Sequence, residues 1–150
     1  MTSPNYFHVA AVIVLDDARN VVLQLRDNKA NIGDPNRWGL FGGQIEPGET
    51  MCEAAAREVN EELTLPCEAC DLTWFGTFQV RADCTFYSFT YPAGVSIDSA
   101  VITEGQAFCR FTRDELTTLV DHDEFAGHTL ADSSCLVLAA YLTTLYATTP

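Results

Sequence analysis

Carboxylates recur at helical spacing in the middle of the chain. Residues 43–65, GQIEPGETMCEAAAREVNEELTL, contain six acidic residues and a single basic residue, Arg57. Because an α-helix repeats about every 3.6 residues, Glu58, Glu61 and Glu62 fall on one face, three and four positions apart. Carboxylate oxygens bind hard divalent cations, and Mg²⁺ is commonly held by one or two carboxylates, waters and a substrate phosphate. The segment therefore predicts a site for a hard divalent cation.

A solvated acidic helix face is the alternative, because runs of charge are most often exposed. Three features weigh against it: the acids lie on one side, no lysine separates them, and they follow Gly42-Gly43. Glycines without side chains let backbone approach closely. Like charges one turn apart also destabilise a helix, by about 0.2–0.5 kcal/mol per pair. We therefore favour the metal site.

The same segment resembles the Nudix box, G-x5-E-x7-R-E-U-x-E-E-x-G-U, in which U is a bulky aliphatic residue. The matching positions are Gly43, Glu49, Arg57, Glu58, Val59, Glu61, Glu62 and Leu65. Thr64 departs from the pattern, which has glycine there. Glycine would supply the left-handed residue that closes a helix, a conformation that β-branched threonine disfavours. We therefore expect altered geometry at the end of the helix and retained chemistry, since every acidic position is present.

The resemblance implies an enzyme that uses Mg²⁺ or Mn²⁺ to hydrolyse a nucleoside diphosphate linked to another group. It also implies the metal ligands, which would be Glu58, Glu61 and Glu62 with the backbone carbonyl of Gly42. Metal bound there would neutralise the diphosphate and lower the pKa of an attacking water.

The resemblance further assigns roles to the residues around the metal. Arg57 would orient Glu58 and Glu49 through ion pairs. One carboxylate must accept the proton of water, and we expect Glu58 to do so, with Glu104 as the second candidate.

Two candidates lie outside the box. Glu104, in the segment Glu104-Gly105-Gln106, resembles the additional metal ligand or base of some Nudix enzymes, whereas an ordinary loop glutamate is the alternative. Arg26 ends the second predicted strand, where related enzymes often place a phosphate contact. A plain surface arginine is the alternative there.

Alternating apolar residues and turn formers predict the elements that position these groups. Thr50-x-x-Glu53 fits a helix-capping box, and Pro66 ends that helix. Strands are predicted at 7–15, 21–25, 38–45, 72–80, 84–91 and 106–111, and further helices from Thr112 and at 131–146. The predicted fold class is α/β (α+β): a Nudix-like α/β/α sandwich, with a mixed β-sheet between helices, in one domain spanning residues 1–150.

The amino-acid composition limits the classes of ligand that the protein is expected to bind. The chain has 8 basic and 21 acidic residues, a net charge of −13, and 47% hydrophobic residues, enough for a packed core. Such a charge disfavours polymeric nucleic acid and membrane surfaces. The box itself, with six acids and one base, carries −5. Bound cations would reverse the local field, so a small metal-chelated nucleotide is the expected ligand.

Apolar runs, cysteine spacing and the last helix bear on the cellular location of the protein and on its oligomeric state. No stretch approaches the ~20 apolar residues of a membrane span, and the N-terminal apolar run ends at Asp16-Asp17, so we expect a cytoplasmic protein with reduced thiols. Cys67-x-x-Cys70 resembles half a zinc site but lacks a second ligand pair, which favours unliganded thiols. The last helix could pack on the core or on a second subunit, since homodimers are common in the family.

Three functions remain open. The loop DNKANIGDPNRWGLFGG resembles members that hydrolyse nucleotide sugars, so a nucleoside diphosphate sugar or ADP-ribose-like substrate leads. The second function is a (deoxy)nucleoside triphosphate pyrophosphatase that clears damaged nucleotides, which Glu104-Gly105-Gln106 favours. The third is a nucleotide-binding module without catalysis. The intact carboxylate cluster argues against it, because a pure binder does not need these mutually repelling acids.

Overall fold

Seven strands form one mixed sheet in the computed structural model, which describes residues 5–148. The strands are β1 (Phe7–Asp16), β2 (Val21–Leu25), β3 (Trp38–Gly39), β4 (Phe41–Gln44), β5 (Thr73–Arg81), β6 (Cys84–Gly94) and β7 (Ala107–Phe111). The helices are α1 (Met51–Leu63), α2 (Arg113–Val120) and α3 (Asp132–Ala147), with 3₁₀ turns at Ala69–Asp71 and Val95–Ser99. The order across the sheet is β3-β2-β1-β6-β5, while β4 also pairs with β1 and β7 with β2.

Strand β1 lies at the centre and separates two hydrophobic cores. It runs parallel to β6 and antiparallel to β2 and β4. Successive side chains of a strand point to opposite faces. Accordingly, Ala10, Val12 and Val14 pack with the apolar residues of α1, whereas Ala11 and Ile13 pack with those of α2 and α3. The predicted sandwich, with a mixed sheet between helices, is confirmed.

The segment predicted as one strand at 38–45 is two short strands. β3 pairs with β2, and β4 pairs with β1. The change of partner occurs at Leu40, whose backbone N–H donates to Ser134 Oγ on α3 instead of to a strand (3.1 Å). This step brings Gly42 and Gly43 alongside β1 and next to α1. The single strand is therefore a wrong prediction, and the break positions the two glycines.

Helix α1 begins as predicted. Thr50 Oγ1 accepts from the Glu53 backbone N–H (3.1 Å), and the Glu53 carboxylate accepts from the Thr50 backbone N–H (2.9 Å). The two bonds satisfy donors that the first helical turn leaves open. The capping box therefore fixes where the acidic helix starts.

The end of α1 differs from the expectation for Thr64. Thr64 itself takes the left-handed conformation, with φ 55° and ψ 37°. Its hydroxyl donates to the Val101 carbonyl (3.1 Å), and the Val101 backbone N–H donates to the Leu63 carbonyl (3.0 Å). Thr103 donates to the two preceding carbonyls of the helix. Its backbone N–H donates to the Glu62 carbonyl (3.1 Å), and its hydroxyl donates to the Glu61 carbonyl. Loop 101–104 thus holds the end of the helix in the geometry that glycine would give.

We expect Thr64→Gly to be more stable than Thr64→Ala by about 1 kcal/mol in free energy of unfolding. A left-handed residue with a Cβ costs roughly 1–2 kcal/mol, which Gly removes and Ala retains, although Gly gains entropy in the unfolded chain. Both variants lose the hydroxyl bond to Val101, so that bond cancels from the comparison. Urea denaturation of the two variants measures the difference. Equal stability, or a more stable alanine variant, would show that the conformation is not strained.

Candidate active site

Arg57 lies at the centre of the carboxylates of α1. Its Nη1 donates to Glu58 Oε1 (2.8 Å) and Glu61 Oε2 (3.2 Å). Its Nη2 donates to Glu49 Oε2 (3.0 Å) and to the Gln44 carbonyl (3.1 Å). The hydrogen bond from Arg57 lowers the pKa of Glu49. One guanidinium therefore joins the loop before α1 to the acidic face of the helix and fixes the directions of three carboxylates.

Glu62 is the most enclosed of these acids, with 2% of its surface exposed. Its Oε1 accepts from the Gly42 backbone N–H (2.8 Å), and its Oε2 accepts from Gln24 Nε2 (2.9 Å). Gln24 also donates to the Leu40 carbonyl (3.2 Å) from within buried strand β2. Gln24 was not among the site residues predicted from the sequence. Its one signal is a polar residue in the otherwise apolar strand VVLQL.

Burial raises the pKa values of two of these carboxyls. It raises the pKa of Glu62 to about 8, with added repulsion from Glu58 and Glu104. It also raises the pKa of Glu58, although the bond from Arg57 opposes the change. Removal from water disfavours the charged form, and neighbouring negative charge adds to the effect. Without a cation the site therefore disfavours full ionisation of these carboxyls, and a bound cation would favour their charged forms.

Glycine is required where β4 passes between β1 and α1. A Cβ placed on Gly42 would lie 2.1 Å from the Ala10 carbonyl oxygen, and one placed on Gly43 would lie 2.3 Å from Glu58 Oε1. At Gly42 the obstructing atoms are backbone, so β4 can lie this close to β1 only without a side chain there, whereas at Gly43 the carboxylate of Glu58 would have to move. Gly42 contributes its N–H to Glu62. That its carbonyl binds metal stays a prediction.

The structure brings Glu104 and Arg26 to the same cleft as the box. A cavity of about 180 Å³ is lined by Gln24, Arg26, Gly42, Glu62 and Glu104, together with neighbouring loop residues. Glu104 is the last residue of loop 101–104, which is bonded to the end of α1. The two residues predicted from outside the box therefore lie beside it, while their chemical roles stay predictions.

A second cavity, of about 430 Å³, adjoins the acidic cleft. Arg26 and Gly42 line both cavities, so the two cavities meet at these residues. Arg26 Nε donates to the Gly33 carbonyl (2.8 Å), which holds the arginine against the loop between β2 and β3. Small-molecule sites commonly have volumes of ~300–1,000 Å³. The larger cavity therefore has the size of a small-molecule site.

The donor set fits a hard divalent cation in its chemistry, since Glu58, Glu61, Glu62 and Glu104 offer carboxylate oxygens. Within residues 5–148, no three acidic, histidine or cysteine side chains converge closely enough to hold an ion as they stand. The hydrogen bonds explain why: Arg57 engages Glu58 and Glu61, while Gly42 and Gln24 engage Glu62. The mutual repulsion around Glu62 supports metal binding by these residues, which stays a prediction.

Three further predictions concern membrane spans, the Cys67 and Cys70 thiols, and the last helix. In the described part of the chain, no helix is long and apolar enough to span a membrane. Cys67 and Cys70 are free thiols, the first buried and the second exposed. In α3, Val137, Leu138 and Tyr141 are buried in the core. Core packing therefore accounts for that face of the helix, and a homodimer remains an untested prediction.

The raised pKa of Glu62 predicts a pH-dependent stability in metal-free protein. Its folded pKa of about 8 lies above the ordinary value of 4.5. Between these values the folded protein keeps a proton that the unfolded chain has lost, so stability falls as pH rises toward 8. The slope from one such group reaches roughly 1.4 kcal/mol per pH unit. Urea denaturation in EDTA from pH 5 to 8 should show a smaller fall for Glu62→Gln, and equal falls would contradict the prediction.

The chain matches the family model of the NUDIX domain over residues 6–132. It is 36% identical over 55 residues to nucleoside triphosphatase NudI of Salmonella agona, covering 37% of this chain and 38% of that protein. It is 41% identical over 66 residues to dihydroneopterin triphosphate diphosphatase of Escherichia coli, covering 43% and 40%. It is 32% identical over 72 residues to 8-oxo-dGTP diphosphatase of Proteus vulgaris, covering 48% and 62%. Each match thus spans less than two thirds of the relative.

The fold is also found among solved structures. The solution structure of the E. coli ORF135 protein superposes with a TM-score of 0.71 at 21% identity, covering 99% of this chain and 96% of that chain. At this identity the likeness shows the fold alone. The family model, in contrast, covers most of the chain and includes the whole acidic helix. The chain belongs to the family of Nudix hydrolases.

Proposed function

We propose that the protein hydrolyses a nucleoside triphosphate, or a triphosphate that carries a bicyclic ring similar to a nucleobase, to the monophosphate and pyrophosphate. The reaction would use Mg²⁺ or Mn²⁺. The observation that carries the proposal is the junction of the two cavities at Arg26 and Gly42. A ring in the 430 Å³ cavity would direct its phosphates past Arg26 toward the carboxylates of α1. In this arrangement the phosphoric anhydride bonds would lie in the cleft.

The comparisons support a triphosphate over the nucleoside diphosphate sugar that the sequence analysis favoured. The three relatives carry names that specify nucleoside triphosphate, dihydroneopterin triphosphate and 8-oxo-dGTP. Dihydroneopterin and 8-oxoguanine are both bicyclic and share an amino-oxopyrimidine ring. The second interpretation, a triphosphate pyrophosphatase, is therefore the one that we propose.

The chain's own residues supply positioning and proton transfer. When bound, the divalent cation supplies neutralisation of phosphate charge and a more acidic water. Glu58 would accept a proton from the attacking water as the water oxygen bonds to phosphorus and the anhydride bond breaks, with pyrophosphate as the second product. Arg57 keeps Glu58 directed into the site (2.8 Å). The bond to Gly33 uses Nε of Arg26, so its terminal nitrogens can donate to phosphate oxygens.

A substrate panel tests the proposal. Canonical and oxidised deoxynucleoside triphosphates, ADP-ribose and a nucleotide sugar are incubated with the protein and Mg²⁺ or Mn²⁺, and monophosphate release is measured by chromatography. We expect release from triphosphates and its loss in EDTA. Faster release from ADP-ribose or a nucleotide sugar would restore the other substrate class. Absence of turnover on the whole panel would favour a binding module.

A further inference from the structure

The larger cavity has one flat apolar wall and one polar edge. Phe7 and Val9 alternate onto one face of β1, and Val9 lies opposite Phe86 in the parallel pairing with β6. Apolar and aromatic side chains of this kind cover the faces of a planar ring. Discrimination among rings must then come from the polar groups at the edge, because every nucleobase has a similar flat face.

Asp34 is the one carboxylate among the described residues that line this cavity. Its side chain is 16% exposed, and Ser133 Oγ donates to its Oδ2 (3.0 Å). The nearest cation, Arg37, lies 3.9 Å from its Oδ1 and closer to Asp132 (3.1 Å). An ionised carboxylate has about four acceptor positions. Ser133 occupies one, so the carboxylate can accept from a ligand.

A carboxylate at this edge distinguishes the bases by their donors. The guanine edge presents a ring N–H beside an amino group, two adjacent donors for one carboxylate. Adenine and cytosine present a ring nitrogen lone pair beside their amino group, which a carboxylate repels, and thymine has no amino group. A buried acceptor that finds no donor on the ligand has lost its water without compensation, which costs free energy. A base without the two donors is therefore bound less well, in addition to guanine being bound better.

We propose that Asp34, held by Ser133, selects rings that carry an N–H adjacent to an amino group, which makes guanine-type nucleotides the preferred substrates. The proposal rests on the proposed function for its reaction and names the substrate class of that same site. Ser134, also in the lining, accepts from the Leu40 N–H (3.1 Å) and has a hydroxyl hydrogen to offer the ring carbonyl. Asp34 is thereby a specificity-determining residue, outside the carboxylate cleft.

The decisive comparison uses dGTP and dITP, which differ only in the amino group. We expect kcat/KM to be at least tenfold higher for dGTP than for dITP. The difference between dGTP and dATP should be larger still. Hydrogen bonds to charged groups discriminate between substrates by about this factor. Asp34→Asn keeps the shape but turns a donor toward the ring donors. It should reduce the dGTP to dITP ratio below about threefold, with the melting temperature recorded as a check of folding.

Asp132→Asn is the matched control, because it removes an equal charge that also pairs with Arg37 yet lies outside the cavity lining. Its dGTP to dITP ratio should equal that of the wild type. Equal rates on dGTP, dITP and dATP would overturn the base preference while leaving the triphosphatase activity in place. An unchanged ratio in a folded Asp34→Asn variant would overturn the role of Asp34.

Calorimetric binding of GMP and IMP separates this proposal from the proposed function, because it needs no turnover. Tighter binding of GMP, lost in Asp34→Asn, would support the preference even if no triphosphate were hydrolysed. Equal binding of GMP and IMP would overturn it whatever the activity.

Discussion

Glu58→Gln is expected to lower kcat for triphosphate hydrolysis by about 10²–10⁴-fold, the usual contribution of a general base. Glutamine keeps the size of the side chain and can still accept from Arg57, so the fold should be retained. It cannot accept the proton of water at neutral pH, and it is a poorer ligand for a hard cation. Steady-state kinetics at saturating Mg²⁺ measure the effect.

The control is Glu124→Gln, which removes one exposed carboxylate from the segment after α2. It should retain the activity of the wild type. Glu104→Gln distinguishes the two candidate bases, since both glutamates adjoin the cleft but only one can supply the larger loss. A Glu58→Gln variant as fast as the wild type would refute the assignment, and a larger loss in Glu104→Gln would move the base to the loop.

Gly43→Ala is the second substitution with a large expected effect. The added methyl would lie 2.3 Å from Glu58 Oε1, so the carboxylate must move. Because the obstructing atoms are the end of a flexible side chain, the fold can adjust at a cost of about 1–2 kcal/mol, whereas catalytic groups tolerate little displacement. We expect kcat to fall by about 10²-fold with a melting transition that remains cooperative.

The double variant Gly43→Ala/Glu58→Gln tests the cause. If the methyl acts through Glu58, the double variant should be about as slow as the slower single variant, because changes at contacting residues are not additive. If the activity of the double variant instead falls by the product of the two single losses, the methyl acts through a group other than Glu58.

The acidic helix was predictable because its determinants are local. Thr50 and Glu53 form the cap that the sequence indicates, and Glu58, Glu61 and Glu62 lie near one another through helical spacing alone. The layers were predictable for the same reason, since alternation along β1 assigns its side chains to two faces. Short-range patterns thus predicted the fold class and the placement of the box.

Contacts between distant residues could not be predicted in this way. Gln24 bonds Glu62 across 38 positions and Ser133 bonds Asp34 across 99. Nothing in either residue's neighbourhood in sequence encodes the other. The change of strand partner at Leu40 likewise depends on a hydroxyl from α3. The larger cavity, which such contacts build, could therefore be recognised only in the structure.

The bonds between loop 101–104 and the last carbonyls of α1 couple two segments that the sequence keeps apart. Proteins open locally in cooperative units, and a unit consists of the residues whose bonds must break together. Releasing Val101 and Thr103 would leave the carbonyls of Leu63 and Glu62 without partners, so fraying of the helix and departure of the loop are one event. We therefore expect the backbone at Glu62 and the loop that contains Glu104 to open together.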